Sequence, residues 1–297
     1  MLAQQILNGI MLGSVYALFA LGFTLIFGVM NILNLAHGAI FAFGAFVALY
    51  CVSGLALPLY LVVPIVMVAG ALLSIIVDLV AFQSLRRRGA DEFGAIVSSI
   101  GAGLIITSML ETASDAAILT FPFGTFPIEI YRIWGVRISL LQISVIGTTA
   151  LVIGAILIYL YKTSFGRQVR AVAVSAPTSG ILGINPTAVY LQVFAIAGAL
   201  AGLAGLLIGL MFNSVNFLMG EPMMLKAFVV VVLGGLGSIT GAMLSGIVIG
   251  IAQTLISTYL SSKLSDAILF AGLLMLLLAY PTGLFKGIRQ EERVTRI

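Results

Sequence analysis

Apolar runs of about 20 residues or more recur along this chain, at about 6–30, 58–82, 94–114, 139–161 and 264–285, with a glycine-rich run beginning near Pro186. A helix that crosses a bilayer needs about 20 such residues. Lipid leaves a backbone two choices, a helix or a closed barrel, because nothing else satisfies its own N–H and C=O groups. Only 8% of the 297 residues are charged and 61% are hydrophobic, whereas a soluble domain carries roughly 25% charge. The expected fold is therefore an all-α integral membrane protein. It is read as a single domain over 1–297 with about eight to ten transmembrane or re-entrant helices.

Charge sets the expected orientation. There are 14 basic and 10 acidic residues, a net charge of +4, and the basic ones lie between or beyond the apolar runs. That is the positive-inside distribution of a membrane protein, not a nucleic-acid surface. Arg86, Arg87 and Arg88 stand together in the short segment 83–92, read as a cytoplasmic loop. Lys286, Arg289, Arg293 and Arg296 place the tail, 286–297, on the same side. The stretch 115–138 carries Phe121, Phe123, Phe126 and Trp134 with Pro122 and Pro127, and reads as an external interfacial loop. A second outer loop is expected from Asn213 to Leu225. Met1–Gln5 lack the basic start of a cleaved signal peptide, so the first run is expected to stay as a helix. Cys51 is the single cysteine and lies in an apolar run, so no disulfide framework is expected.

Two interruptions fall where the chain should be at membrane depth. The first is Asn31-Ile32-Leu33-Asn34-Leu35-Ala36-His37-Gly38; buried amides and a histidine there need partners or a watery cavity. The second lies in 226–260, which is too long for one simple helix. Its centre holds Gly234, Gly235, Gly237, Ser238 and Gly241, too many glycines for a stable helix. Counting 226–260 as two short passes also keeps the tail on the side of the arginines. His37-Gly38-Ala39 and Thr240-Gly241-Ala242 resume alike. Matched interruptions in two halves point to an internal repeat with a pathway between. The alternative is chance, since Gly-Ala pairs are common in such chains. Gly9 and Gly13, Gly198 and Gly202, and Gly205 and Gly209 are each four apart, as in closely packed helices.

A further run ends near Gly54, and between the run at about 139–161 and the glycine-rich one lies a polar island, 162–187. Tyr161-Lys162-Thr163-Ser164-Phe165-Gly166-Arg167-Gln168-Val169-Arg170-Ala171 opens it, and Pro177 and Pro186 follow. Arg167 and Arg170 would share a face on a short helix. Gly166 would permit a sharp entry or a close approach to a partner. Phe165 could anchor in a partner's groove, since interface energy concentrates in aromatics and arginines. The island reads as a cytoplasmic docking segment. The blander alternative is that its arginines only orient the chain or meet lipid phosphates.

Asn31–Gly38, Ser164-Phe165-Gly166-Arg167-x-x-Arg170-Ala171 and Leu233–Gly241 stand in an order and spacing that resembles the permeases of branched-chain amino-acid ABC importers, of the LivH type. The resemblance covers nearly the whole chain. It implies a vitamin-B12-importer-like permease fold with an internal inverted repeat, in the bacterial inner membrane with a cytoplasmic C-terminus. It implies a related permease partner of the LivM type, two ATPase subunits of the LivG and LivF types, and a periplasmic substrate-binding protein. ATP and Mg would sit on the ATPases, with no cofactor on this chain. Ser164, Phe165, Gly166, Arg167, Arg170 and Ala171 would then couple to the ATPases.

The residues themselves limit the chemistry. No G-x-x-x-x-G-K-[ST] occurs, so no phosphate cradle is present. One histidine and one cysteine cannot supply a zinc site of usual spacing, and no set of residues fills the roles of a hydrolase. The expected translocation pathway comprises Asn31, Asn34, His37, Gly38, Gly234, Gly235, Gly237, Ser238 and Gly241. Amides and broken helix ends offer dipoles to a zwitterion on a route with few fixed charges. A packed, hydrogen-bonded His37 is the plainer reading of that residue. Glu111, near the outer end of its run, is either a gate or an interfacial acid, and Asp78 should either snorkel or pair near the arginine loop. Importers of urea, short amides or aromatic acids are an alternative of the same kind. An ion-coupled secondary transporter, or a scaffold without transport, would leave the polar island or the breaks without use.

Overall fold

The computed structural model describes residues 2–88, 92–133 and 135–279. The expected tail, 286–297, lies outside them. The order is α1 (Leu2–Met30), α2 (His37–Ser53), α3 (Leu59–Val77), a π-helical segment (Asp78–Gln83), α4 (Ser84–Arg87), α5 (Glu92–Ala113), β1 (Ile130–Ile133), β2 (Val136–Ser139), α6 (Leu140–Lys162), α7 (Ser164–Val174), α8 (Ala176–Ile181), α9 (Pro186–Phe212), α10 (Gly220–Gly234), α11 (Ile239–Tyr259) and α12 (Ser265–Ala279). Among the described residues six helices are long and apolar enough to span a membrane, and α2 and most of α12 are shorter apolar helices. The all-α membrane architecture expected from the runs is the one observed.

Three expected loops are more ordered than their composition implied. Helix α3 does not stop at Phe82; it continues through the π-helical segment to Arg87, so half of the 83–92 loop is helix. The stretch 115–138 contains most of an antiparallel hairpin, with Ile130 opposite Ser139 and Ile133 opposite Val136. Gly135, at φ 80°, supplies the left-handed residue of its turn. The outer loop after Asn213 ends early, because α10 begins at Gly220.

The described chain forms two compact units. One draws on the chain up to Thr24, Phe126–Ala155 and the chain from Lys226; the other on Leu25–Thr125 and Ile156–Leu225. In the second unit α9 is the centre, packed on α2 and α3. Small residues make this possible: a Cβ at Gly44 would lie 2.5 Å from the Gly202 carbonyl oxygen, and one at Gly202 would lie 2.9 Å from that of Val66. Gly198 meets Gly70, and Gly205 meets the Phe41 carbonyl. Without a hydrophobic drive between helices in lipid, backbone approach of this kind is the main source of packing energy. Helix α3 shows the resulting two faces. Val62, Val66, Gly70, Ser74 and Val77 are buried at helical spacing, while Ile65, Val68, Leu72 and Ile76 are exposed and suited to lipid.

The first unit packs α1 on α11 by the same means. A Cβ at Gly9 would lie 2.6 Å from Ile251 Cα, and one at Gly13 would lie 2.7 Å from Ile247 Cα. The start of α1 is tied to the hairpin: Gln4 Nε2 donates to the Arg137 carbonyl at 2.9 Å, and Arg137 N–H donates to Gln4 Oε1 at 2.9 Å. Gln142 Nε2 donates to Asn8 Oδ1 at 2.7 Å beside it. In the second unit Leu119 and Val215 form an antiparallel bridge. Within that unit the chain just after α5 and the chain just after α9 therefore meet.

Candidate functional site

The polar island is a corner followed by two short helices. Helix α6 ends at Lys162, and Thr163 caps α7 with its Oγ1 accepting from Gly166 N–H at 3.1 Å. The same hydroxyl donates to the Tyr159 carbonyl at 2.6 Å, so one side chain fixes both helix ends. Gly166 is buried with its Cα hydrogens against the Leu160 carbonyl, where a Cβ has no room. The close approach anticipated for Gly166 is thus to the chain's own preceding helix. Arg170 donates from Nη1 to the Leu160 carbonyl and lies 5.6 Å over the Tyr161 ring.

This separates the two arginines that were expected to share a presenting face. Arg170 folds back to hold a free carbonyl at the end of α6, while Arg167 is exposed. Val169 and Val172 bury the inner face of α7 with Gly166. Phe165 stacks on Tyr159 at 6.5 Å and 11° yet stays 48% exposed. Ser164 is exposed at the start of α7, and the Ala171 carbonyl accepts from Ser175 N–H at 3.2 Å. Ser175 caps α8, and Asn185 caps α9 by accepting from Thr187 N–H at 3.0 Å. The sequence reading missed Ile181 and Leu182, which stand 87% and 75% exposed at the end of α8. Two large aliphatic side chains bared beside a basic segment are a sequence signal for a contact surface.

Both predicted breaks are present, and their residues serve the backbone. Asn31 ends α1 in the left-handed region at φ 58°, its N–H donating to the Phe27 carbonyl at 2.8 Å. Asn34, 1% exposed, accepts at Oδ1 from Ala36 N–H at 3.1 Å in the turn just ahead of α2. The Leu35 N–H donates to Ser99 Oγ at 3.2 Å. His37 is fully buried, and Gly38 is in backbone contact with Gly220 at the start of α10. In the second break Gly235 and Gly237 are left-handed at φ 85° and 83°. Ser238 caps α11, its Oγ accepting from Gly241 N–H at 3.1 Å. A Cβ at Gly234 would lie 2.5 Å from the Gly241 carbonyl carbon, so the turn closes only with glycine there. Each break therefore restarts a helix at a Gly-Ala pair whose glycine meets a glycine of α10. Glu111 is exposed near the end of α5.

Two charge arrangements complete the picture. Asp78, fully buried, accepts from Arg86 Nη1 at 2.6 Å and Nη2 at 3.0 Å, and the Arg86 guanidinium lies 4.8 Å over the Tyr190 ring. In the first unit Tyr16 donates to Gln253 Oε1 at 2.7 Å, and Gln253 Nε2 donates to Asp266 Oδ1 at 2.9 Å. Lys226 Nζ stands 3.4 Å from the same Asp266 oxygen and 5.7 Å from the Tyr16 ring. The sequence reading passed over Lys226 and Asp266, although an ionisable residue inside or beside a spanning run is itself a signal.

The model of the family "Branched-chain amino acid transport system / permease component" matches residues 5–279. The chain is 33% identical to the high-affinity branched-chain amino acid transport system permease protein BraD of Pseudomonas aeruginosa, over 98% of this chain and 97% of that one. It is 32% identical to the corresponding permease LivH of Escherichia coli, with the same coverage. The ribose import permease RbsC of Haemophilus influenzae is 26% identical over 83% of this chain and 75% of its own. No solved structure matches.

Proposed function

The chain belongs to the branched-chain amino-acid transport permease family, and from that premise we propose that it carries leucine, isoleucine and valine inward across the bacterial inner membrane. It is a multi-pass membrane protein and a permease subunit of an ABC transporter, not an enzyme. ATPase and substrate-binding subunits are its partners. The observation that carries the proposed substrate is end-to-end kinship with two branched-chain permeases at 32–33%, above the 26% to a ribose permease. In the proposed assembly a LivM-type permease lies beside this chain, and LivG- and LivF-type ATPases, holding ATP and Mg, lie beneath it.

The proposed docking surface is α7 and α8. Phe165, Arg167, Val174, Ile181 and Leu182 are its outward groups. Gly166 and Arg170 act by holding the corner, and Ser164 and Ala171 belong to the same helix. Two spanning helices, Phe93–Ala113 and Leu140–Lys162, separate the arginines at 86–88 from the island, an even number of crossings. That supports a cytoplasmic face for both. The Gln4–Arg137 contact then favours an external start of α1, on the side of the hairpin. Asn31, Asn34, His37, Gly38 and the 234–241 turn shape the two breaks proposed to flank the path, and Glu111 is proposed as an interfacial acid rather than a gate.

The test is uptake by proteoliposomes holding the assembled importer and its binding protein. Radiolabelled leucine should enter only with hydrolysable ATP on the ATPase side. Uptake driven by a proton or sodium gradient without ATP would overturn the reading.

A further inference from the structure

Lys226, Asp266, Gln253 and Tyr16 join four helices of the first unit. Tyr16 is the central residue of α1, Leu2–Met30, so about 21 Å of helix lies on either side of it at 1.5 Å per residue. A spanning α1 puts this ring near the bilayer midplane, and Lys226 Nζ is 5.7 Å from it. Lys226 lies in the second turn of α10 and Asp266 in the first turn of α12. No local helix spacing explains their meeting. Tyr16 and Gln253, from α1 and α11, orient the carboxylate from a third direction.

Charges at this depth are costly unless paired, and they face protein or water, not hydrocarbon. The Lys226 side chain is only 15% exposed, but that of Asp266 is 50% exposed. A half-open carboxylate at membrane depth requires water, a partner surface or a polar solute in front of it. A buried brace would instead close over both charges.

We infer that Lys226 and Asp266 form a charge-exchange site for the zwitterionic backbone of an amino acid, Lys226 receiving the α-carboxylate and Asp266 the α-ammonium. The inference rests on the amino-acid reading of the substrate given above. A zwitterion crossing a low-dielectric passage must keep both charges paired. A resident ion pair that opens and re-forms can exchange partners with it, so that no charge stands alone at any stage. Gln253 holds Asp266 in place during the exchange, and Tyr16 gives Lys226 a ring face to rest on. Neither contact depends on the solute's side chain, which suits a path shared by leucine, isoleucine and valine.

The experiment compares the complete reconstituted importer with its Lys226→Gln, Asp266→Asn and doubly substituted forms, using radiolabelled leucine and saturating binding protein. Assembly is first checked by gel filtration. An exchange site predicts at least a tenfold loss of uptake in each single variant, and no recovery in the double variant. A structural brace predicts the opposite, because removing both charges removes the uncompensated one. Wild-type uptake by the double variant, or its failure to assemble, would overturn the inference. Absence of ATP-dependent leucine uptake by the unmodified importer would instead defeat the reading on which it rests.

Discussion

Arg86 grips Asp78 with both guanidinium nitrogens, Nη1 at 2.6 Å from Oδ1 and Nη2 at 3.0 Å from Oδ2, and Asp78 is fully buried. The two residues are eight apart, spanned by the π-helical segment Asp78–Gln83 that turns them onto one face. Arg86 is thus a structural partner first and an orienting charge second. Breaking a buried pair leaves an uncompensated charge and costs about 3–5 kcal/mol. Asp78→Ala and Arg86→Leu should each lower the melting temperature in detergent substantially. An Asp78→Asn, Arg86→Gln double variant should lose less than either. Equal melting of all four proteins would rule the pair out as a stabilising element.

The contact of Gly44 with Gly202 leaves no room for a methyl group, whereas a Cβ at Gly101 of α5 meets nothing within 4 Å. Gly44→Ala should therefore separate α2 from α9 and cut the yield of folded protein severalfold. Gly101→Ala should be neutral or stabilise by up to about 1 kcal/mol, the helix propensity difference alone. Thermal melts of the two single variants test the contrast.

At the second break, Ser238→Ala removes the acceptor for Gly241 N–H and should cost about 1 kcal/mol. Ser238→Thr keeps a capping hydroxyl and should recover most of that loss. The comparison reads the cap itself, since both variants change little else.

Gly166→Ala drives a methyl group against the Leu160 carbonyl and opens the α6–α7 corner. If α7 and α8 transmit ATPase motion, uptake of leucine should fall at least tenfold in the reconstituted importer. Wild-type uptake by this variant would show that the corner's shape does not matter to transport.

The helices were legible because their apolar runs have spanning length, and the breaks because Asn31–Gly38 and Gly234–Gly241 cannot continue a helix. The island was legible as polar. What its residues touch was not, because Arg170 meets Leu160 only after Gly166 turns the chain back. The hairpin hid in a loop of aromatics and prolines, where four residues a strand give little periodicity. Lys226 and Asp266 were missed for a different reason. Forty residues separate them, and a pairing of that span is set by helix packing, not by local pattern. Asn34 shows the converse: its place in the break was readable, but the turn it forms by accepting from Ala36 N–H just ahead of α2 was not.

Crosslinking from Ile181 is the most direct measurement, because it stands at the end of α8 at 87% exposure. With Cys51, buried in α2, replaced by serine, an Ile181→Cys importer would be treated with a short bifunctional thiol reagent in native membranes. The account predicts an adduct to an ATPase subunit, and none in a control that keeps Ile181. Labelling of the introduced thiol by an impermeant reagent applied to the external face would contradict it.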